Sequence, residues 1–166
     1  MKYIYWDSNC FLAYLKGEEH GRDAIMGVLQ AVERGEAKLV TSAFTMVEVI
    51  KVKAKNANGP YYIDGSRQED LEKCFSPENG VILVNVDRLT ATMAREAVWS
   101  YNADPKDAIH IGSALQFMET VLEDDDEFVF QTFDKKLLSR MADFNGMVFE
   151  EPNVQNYPYQ MKAELE

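Results

Sequence analysis

The chain has 166 residues, 46% of them hydrophobic, and carries 28 acidic against 17 basic side chains for a formal charge of −11. That length supports one packed core and leaves little for a second, while no apolar run approaches the roughly 18–20 residues that cross a bilayer and none near Met1 has the form of a secretory signal. A cytoplasmic protein beginning at Met1 is expected, and its charge excludes a broadly basic surface, so a polyanionic ligand has to be met by basic residues placed locally.

Residues 3–6 form an aromatic and branched run ending at Asp7-Ser8-Asn9, which reads as a buried strand passing into a capped helix. Helical spacing follows over 10–15 and 23–33, with Gly17 and Gly21 between, then a short strand at 38–40 and cap residues Thr41 and Ser42. A helix is predicted over 43–55, a surface excursion over 56–65, a short helix over 68–75, a strand over 81–86 and a helix over 89–99. Asp104-Pro105 opens the clearest helix, running to about residue 122. A strand over 128–132, a helix over 135–141 and a strand over 146–149 complete the pattern, followed by a polar tail, extended or disordered, with two prolines. Strands alternating with helices predict an α/β fold with a mostly parallel sheet covered on both faces.

In such sheets ligands bind beyond the carboxyl ends of the strands. Asp7 and Asp134 fall at such ends, Asp107 in the first turn of a helix, and Glu48 in a helix that follows a strand. Each has a plainer reading. Asp7 and Asp134 are credible N-caps, and Asp104 with Asp107 has the spacing of a capping box. Glu48 stands among Met46, Val47, Val49 and Ile50, where a buried carboxylate needs a cation. Four converging carboxylates repel unless a cation intervenes, and an all-oxygen donor set suits Mg²⁺ or Mn²⁺, as one ion or two. Such a site suits hydrolysis of a phosphodiester.

The segments YIYWDSNCFLAYL, TSAFTMVEVI, DPKDAIHIGSAL and FQTFDKKL, in that order, resemble the four acidic motifs of PIN domains, and the resemblance runs from residue 2 to about 149. It implies a three-layer α/β/α sandwich, with residues 1–150 as a nuclease domain and 151–166 as a C-terminal tail. It also implies that Asp7, Glu48, Asp107 and Asp134 hold Mg²⁺ or Mn²⁺ and catalyse, that Asn9 and Thr132 assist, and that the reaction is endonucleolytic cleavage of single-stranded RNA. The compact form is similar to VapC-like toxins of toxin–antitoxin pairs, which implies an antitoxin partner and a homodimer. The chain departs from that pattern in its length, in the 56–65 excursion, and at Gly112, where many relatives have alanine. Two other readings are a catalytically silent PIN-fold interaction module and an aspartyl-phosphate phosphatase with Asp7 as nucleophile. The phosphatase wants a second Asp where Asn9 stands.

His110, one turn beyond Asp107, reads as a packing residue or a support for the acidic site, and His20 as exposed. Lys51, Lys53, Lys55, Lys106, Lys135, Lys136 and Arg140 read as phosphate contacts or as solvated surface. Tyr61 and Tyr62 read as base-stacking residues or as anchors of a loop or dimer, and the acidic run 123–127 as a solvated turn. Cys10 and Cys74 belong to no metal or disulfide pattern and read as reduced thiols.

Overall fold

The computed structural model describes residues 1–16, 21–49, 69, 72–76 and 80–160. The elements are β1 (Lys2–Trp6), α1 (Ser8–Lys16), α2 (Arg22–Glu33), β2 (Ala37–Ser42), α3 (Thr45–Glu48), β3 (Val81–Val84), α4 (Arg88–Tyr101), α5 (Pro105–Val121), β4 (Glu127–Gln131), α6 (Lys135–Arg140) and β5 (Val148–Glu150). The strands form one sheet in the order β3-β2-β1-β4-β5, and every adjacent pair is parallel.

Alternation along β1 divides the core. Tyr3 and Tyr5 point to one face, where Ala94, Ala97, Ile111, Ala114, Phe117 and Leu137 of α4, α5 and α6 cover them. Ile4 and Trp6 point to the other, against Cys10, Phe11, Ile25, Val28 and Ala31 of α1 and α2. Because both faces are covered, the central strands are nearly continuous in apolar residues instead of alternating apolar with polar. The molecule is thus a three-layer α/β/α sandwich.

From β1 the chain builds outward through β2 to β3, then returns across the sheet to start again at β4 on the opposite side of β1. This reversal between β1 and β4 leaves a crevice beyond their carboxyl ends. Asp7 and Thr132 are the first residues after those two strands.

Several boundaries differ from expectation. Of the helix expected over 43–55, the described part is the single turn α3, and Val49 leaves it as a turn residue. Residues 50–55, the 56–65 excursion, Gly17, His20, Tyr61, Tyr62, Lys51, Lys53 and Lys55 lie outside the described residues. Helical residues occur at 69 and 72–75, within the short helix expected there. β3 stops at Val84 because Asn85 and Val86 are already exposed and Asp87 caps α4, accepting from the amides of Leu89 and Thr90 at 2.8 and 3.0 Å. Among the described residues no helix is long and apolar enough to cross a membrane. Cys10 is buried, and no disulfide joins it to Cys74.

Residues 151–160 contain neither helix nor strand, yet they pack on α2. Tyr157 is buried, and its carbonyl oxygen lies 1.9 Å from where a Cβ on Gly27 would stand. The Gln30 side chain grips the same segment, Nε2 donating to the Gln160 carbonyl at 2.8 Å and Oε1 accepting from its amide at 3.0 Å. Gly27→Ala therefore forces the segment away from α2, at about 1 kcal/mol once overpacking is set against alanine's better helix propensity. Limited proteolysis should then cut between 151 and 160 several-fold faster than in the parent; equal rates would mean that the backbone absorbs the methyl group.

Candidate active site

Asp7 is 3% exposed and caps α1 with Oδ1, which accepts from the amides of Asn9 at 3.0 Å and Cys10 at 3.2 Å. Its other oxygen accepts from the Thr132 hydroxyl at 2.5 Å and from Asn9 Nδ2 at 3.4 Å. Burial pushes the Asp7 carboxyl up, and His110, the Thr132 hydroxyl and the two amides offset part of that rise. The cap and the candidate catalytic acid are one group: capping fixes the carboxylate at the strand end instead of competing with function. Asn9 and Thr132, the residues for which the resemblance implies an assisting role, both hydrogen-bond to it.

Three further polar contacts, not anticipated from the sequence, meet at Gln131 beside the end of β1. Gln131 accepts from Trp6 Nε1 at 2.8 Å and donates to Glu150 at 2.7 Å, while the Cys10 thiol donates to the Gln131 carbonyl at 3.3 Å. Fully buried Gln131 thus sets the spacing of β1, β4 and β5 beneath the crevice. Its only sequence signal is a polar residue closing the run EFVFQ.

Asp134 caps α6 through Oδ1, accepting from the amides of Lys136 at 2.8 Å and Leu137 at 3.1 Å, and its own amide donates to Thr132 Oγ1 at 3.0 Å. Thr132 therefore joins Asp7 to Asp134. Asp104 caps α5 through the Lys106 amide at 3.0 Å, and Asp107 follows in the first turn. The Asp107 carboxyl is pushed up to about 6, first by burial and then by the charges of Asp134, Asp104 and Asp7, with His110 opposing. Asp107, Asp134 and Asp7 thus lie within one electrostatic neighbourhood, and Asp104, read from the sequence only as a cap, adds to it.

Glu48 is held differently. Its Oε2 accepts from Ser8 Oγ at 2.6 Å and faces His110 Nε2 at 2.8 Å, and its Oε1 lies 3.9 Å from Lys106 Nζ. Burial acts to raise the Glu48 carboxyl, but the bonds from His110 and Ser8, with the nearby His110 ring and Lys106, outweigh it and hold the group below its usual value. On the far side of the ring, Tyr5 OH lies 3.0 Å from His110 Nδ1. A proton assigned to Nε2 satisfies every partner, with Nε2–H donating to Glu48 and Tyr5 O–H donating to Nδ1. Ser8, His110 and Glu48 have the residue types of a hydrolytic triad without its geometry. A triad places acid and nucleophile on opposite ring nitrogens, whereas here Nε2 faces both Ser8, at 3.2 Å, and Glu48.

Among the described residues no three His, Cys, Asp or Glu side chains stand close enough to clasp an ion directly. The donor chemistry nevertheless fits Mg²⁺ or Mn²⁺, because these ions accept hard oxygens, retain several waters and need only one or two carboxylates directly. Burial and, after it, the charges of Asp134, Asp104 and Asp7 lift Asp107 to about 6, and a divalent cation offsets both effects.

The PIN domain family model matches residues 4–143, and the chain belongs to that family. Solved structures share the fold at low identity. A chain of VapBC2 from Rickettsia felis, bound to a DNA fragment from its promoter, is 11% identical with a TM-score of 0.60, the match covering 92% of this chain and 100% of that one. A chain of DNA-bound VapBC from Salmonella typhimurium is 16% identical with a TM-score of 0.58, over 92% and 100%. A chain of a toxin–antitoxin complex from Klebsiella pneumoniae is 14% identical with a TM-score of 0.52, over 90% and 98%. No curated protein sequence matches the chain at a significant level.

Proposed function

We propose that this protein is a Mg²⁺- or Mn²⁺-dependent endoribonuclease that cleaves single-stranded RNA in the cytoplasm as the toxin of a toxin–antitoxin pair. The observation that carries the reading is Asp107, lifted to about 6 by burial and by three neighbouring carboxylates at the β1/β4 crevice. Membership of the PIN family and the fold shared with chains of toxin–antitoxin complexes support it. An antitoxin protein and a second copy of the chain are the partners that go with this role.

In this reading Asp7, Asp107, Asp134 and Glu48 hold the ion, directly or through water. A bound ion supplies positive charge for the phosphoryl oxygens and an acidified water for attack on phosphorus. The chain's own contribution is orientation. Thr132 and Asn9 fix Asp7, and Thr132 also fixes the start of α6 and with it Asp134. Lys106, Lys135 and Lys136 sit in the first turns of α5 and α6 with exposed side chains, placed to meet phosphates beside the acids and to offset locally the chain's negative charge. The phosphatase reading loses ground because Asn9 donates to Asp7 where that chemistry requires a second carboxyl.

Calorimetric titration with Mn²⁺ tests the site without a guess at the substrate. The parent is expected to bind, and a folded Asp7→Asn/Asp107→Asn variant to lose binding together with cleavage of single-stranded RNA. Cleavage that survives both substitutions would refute the assignment, and a parent that neither binds Mn²⁺ nor cuts would leave the fold as an interaction module.

A further inference from the structure

Glu48 differs from the three aspartates in how its two oxygens are used. Oε2 is taken up by two donors, Ser8 Oγ at 2.6 Å and His110 Nε2 at 2.8 Å. Oε1 faces the exposed amine of Lys106 at 3.9 Å and has no closer partner among the described residues. The ring that supplies one donor is itself held in place. His110 is 2% exposed, its Nδ1 meets Tyr5 OH at 3.0 Å, and it packs edge-on to Tyr5 and tilted against Phe44, with centroids 6.1 and 5.8 Å away. Both donors stand on helices, Ser8 at the start of α1 and His110 inside α5, so their backbones do not move with Glu48 if it rotates.

We propose that Ser8 and His110 are positioning residues that occupy Oε2 of Glu48, so that Glu48 offers a divalent ion one oxygen only and the site selects Mg²⁺ and Mn²⁺ over Ca²⁺. The inference rests on the metal-site reading and deepens it. Bidentate ligation would break both hydrogen bonds: Nε2–H would keep only the longer contact to Ser8 Oγ at 3.2 Å and the buried Ser8 hydroxyl would lose its acceptor, a penalty that one extra ion–oxygen contact has to exceed. The smaller ions lose nothing by this restriction, because near-octahedral sites at about 2.0–2.1 Å use single carboxylate oxygens and water. Ca²⁺ gains from six to eight ligands and commonly takes a carboxylate through both oxygens, the mode that Ser8 and His110 forbid. Outer hydrogen bonds of this kind are typically worth 10–100-fold in metal affinity.

Parallel titrations with Mn²⁺ and Ca²⁺ of the parent, Ser8→Ala, His110→Phe, His110→Gln and the Ser8→Ala/His110→Phe double variant test this. Mn²⁺ affinity is expected to fall about 10–100-fold in the double variant, with Ca²⁺ affinity unchanged or increased, so that selectivity drops by at least tenfold. His110→Gln keeps an N–H near the Nε2 position and should recover most of the loss. A purely structural role would lower the melting temperature and leave the Mn²⁺/Ca²⁺ ratio of the folded protein alone. Equal weakening of both ions, or no change in either, overturns the proposal while the metal site itself stands. A parent that binds no Mn²⁺ overturns both. Should His110→Phe fail to fold, Ser8→Ala alone and Tyr5→Phe, which frees Nδ1, are expected to shift the ratio in the same direction by about threefold or more, and an unchanged ratio in both refutes the idea.

Discussion

Asp107→Asn is expected to make the metal-free protein more heat-stable and at the same time to slow RNA cleavage by orders of magnitude. The Asp107 carboxyl rises from 3.8 to about 6 on folding. A group with a raised value in the fold holds its proton more tightly there than in the unfolded chain, so its ionisation removes stability as pH climbs between those values, and the whole cost is present at pH 7. Taken at face value the shift is worth about 3 kcal/mol. Asp107 is only half-buried, and solvent screening reduces that to about 1 kcal/mol. The substitution should then raise the metal-free melting temperature by about 2–4 °C at pH 7.5 and have little effect near pH 4. With saturating Mn²⁺ the order should invert, because the parent gains more from the ion than the variant does. Cleavage should fall about 1,000-fold, corresponding to roughly 4 kcal/mol of lost transition-state stabilisation. Thermal melts with and without Mn²⁺, run beside an RNA cleavage assay, give all these quantities. A lower metal-free melting temperature would show that Asp107 stabilises the fold and is not strained by its neighbours.

Which parts of the candidate site are legible in the sequence depends on whether their signal is local. Asp7 and Asp134 can be found because a carboxylate after an apolar run is both a helix cap and a residue at a strand mouth, and both properties are local. Asp107 is neither cap nor strand-end residue, and its local signal is only that of an acid in the first turn of the helix that Asp104-Pro105 opens. The support around Glu48 is not local. His110 is 62 positions away from Glu48, and which way its ring turns depends on how α5 packs against Tyr5 of β1. The spacing also continues a helical pattern past Glu48, whereas α3 closes there and Val49 is a turn residue. The parallel sheet was legible from alternation, but the strand order that puts β1 beside β4 comes from pairing between distant segments. The segment after Glu150 shows the same limit, since the Gly27 that admits Tyr157 has an ordinary appearance in its own helix.

Gly112→Ala is expected to be the most destabilising single-methyl change among the helical positions discussed, although alanine is the better helix former. Gly112 is buried in the middle of α5, facing α4. A Cβ at this position would stand 2.4 Å from the Thr90 carbonyl oxygen, 2.9 Å from the Ala94 amide nitrogen and 3.0 Å from the Ala94 Cβ. Two of those atoms are backbone, so no rotamer relieves the clash and α4 has to move as a body. Thr90 resists, because its hydroxyl and amide form the capping box with Asp87 and its hydroxyl also bonds the Asn85 carbonyl at 3.0 Å. Overpacking of this kind costs about 3 kcal/mol, and alanine's propensity returns about 1 kcal/mol. A net loss of about 2 kcal/mol lowers the melting temperature by about 4–8 °C in a chain of this length. The strain also reaches the acidic crevice, since moving α5 against α4 shifts the helix that carries Asp107 and His110. Mn²⁺ affinity should therefore weaken measurably at temperatures where the variant is fully folded. A variant that melts with the parent would mean that α4 and α5 slide apart freely, and that the close approach at Gly112 has no part in placing Asp107.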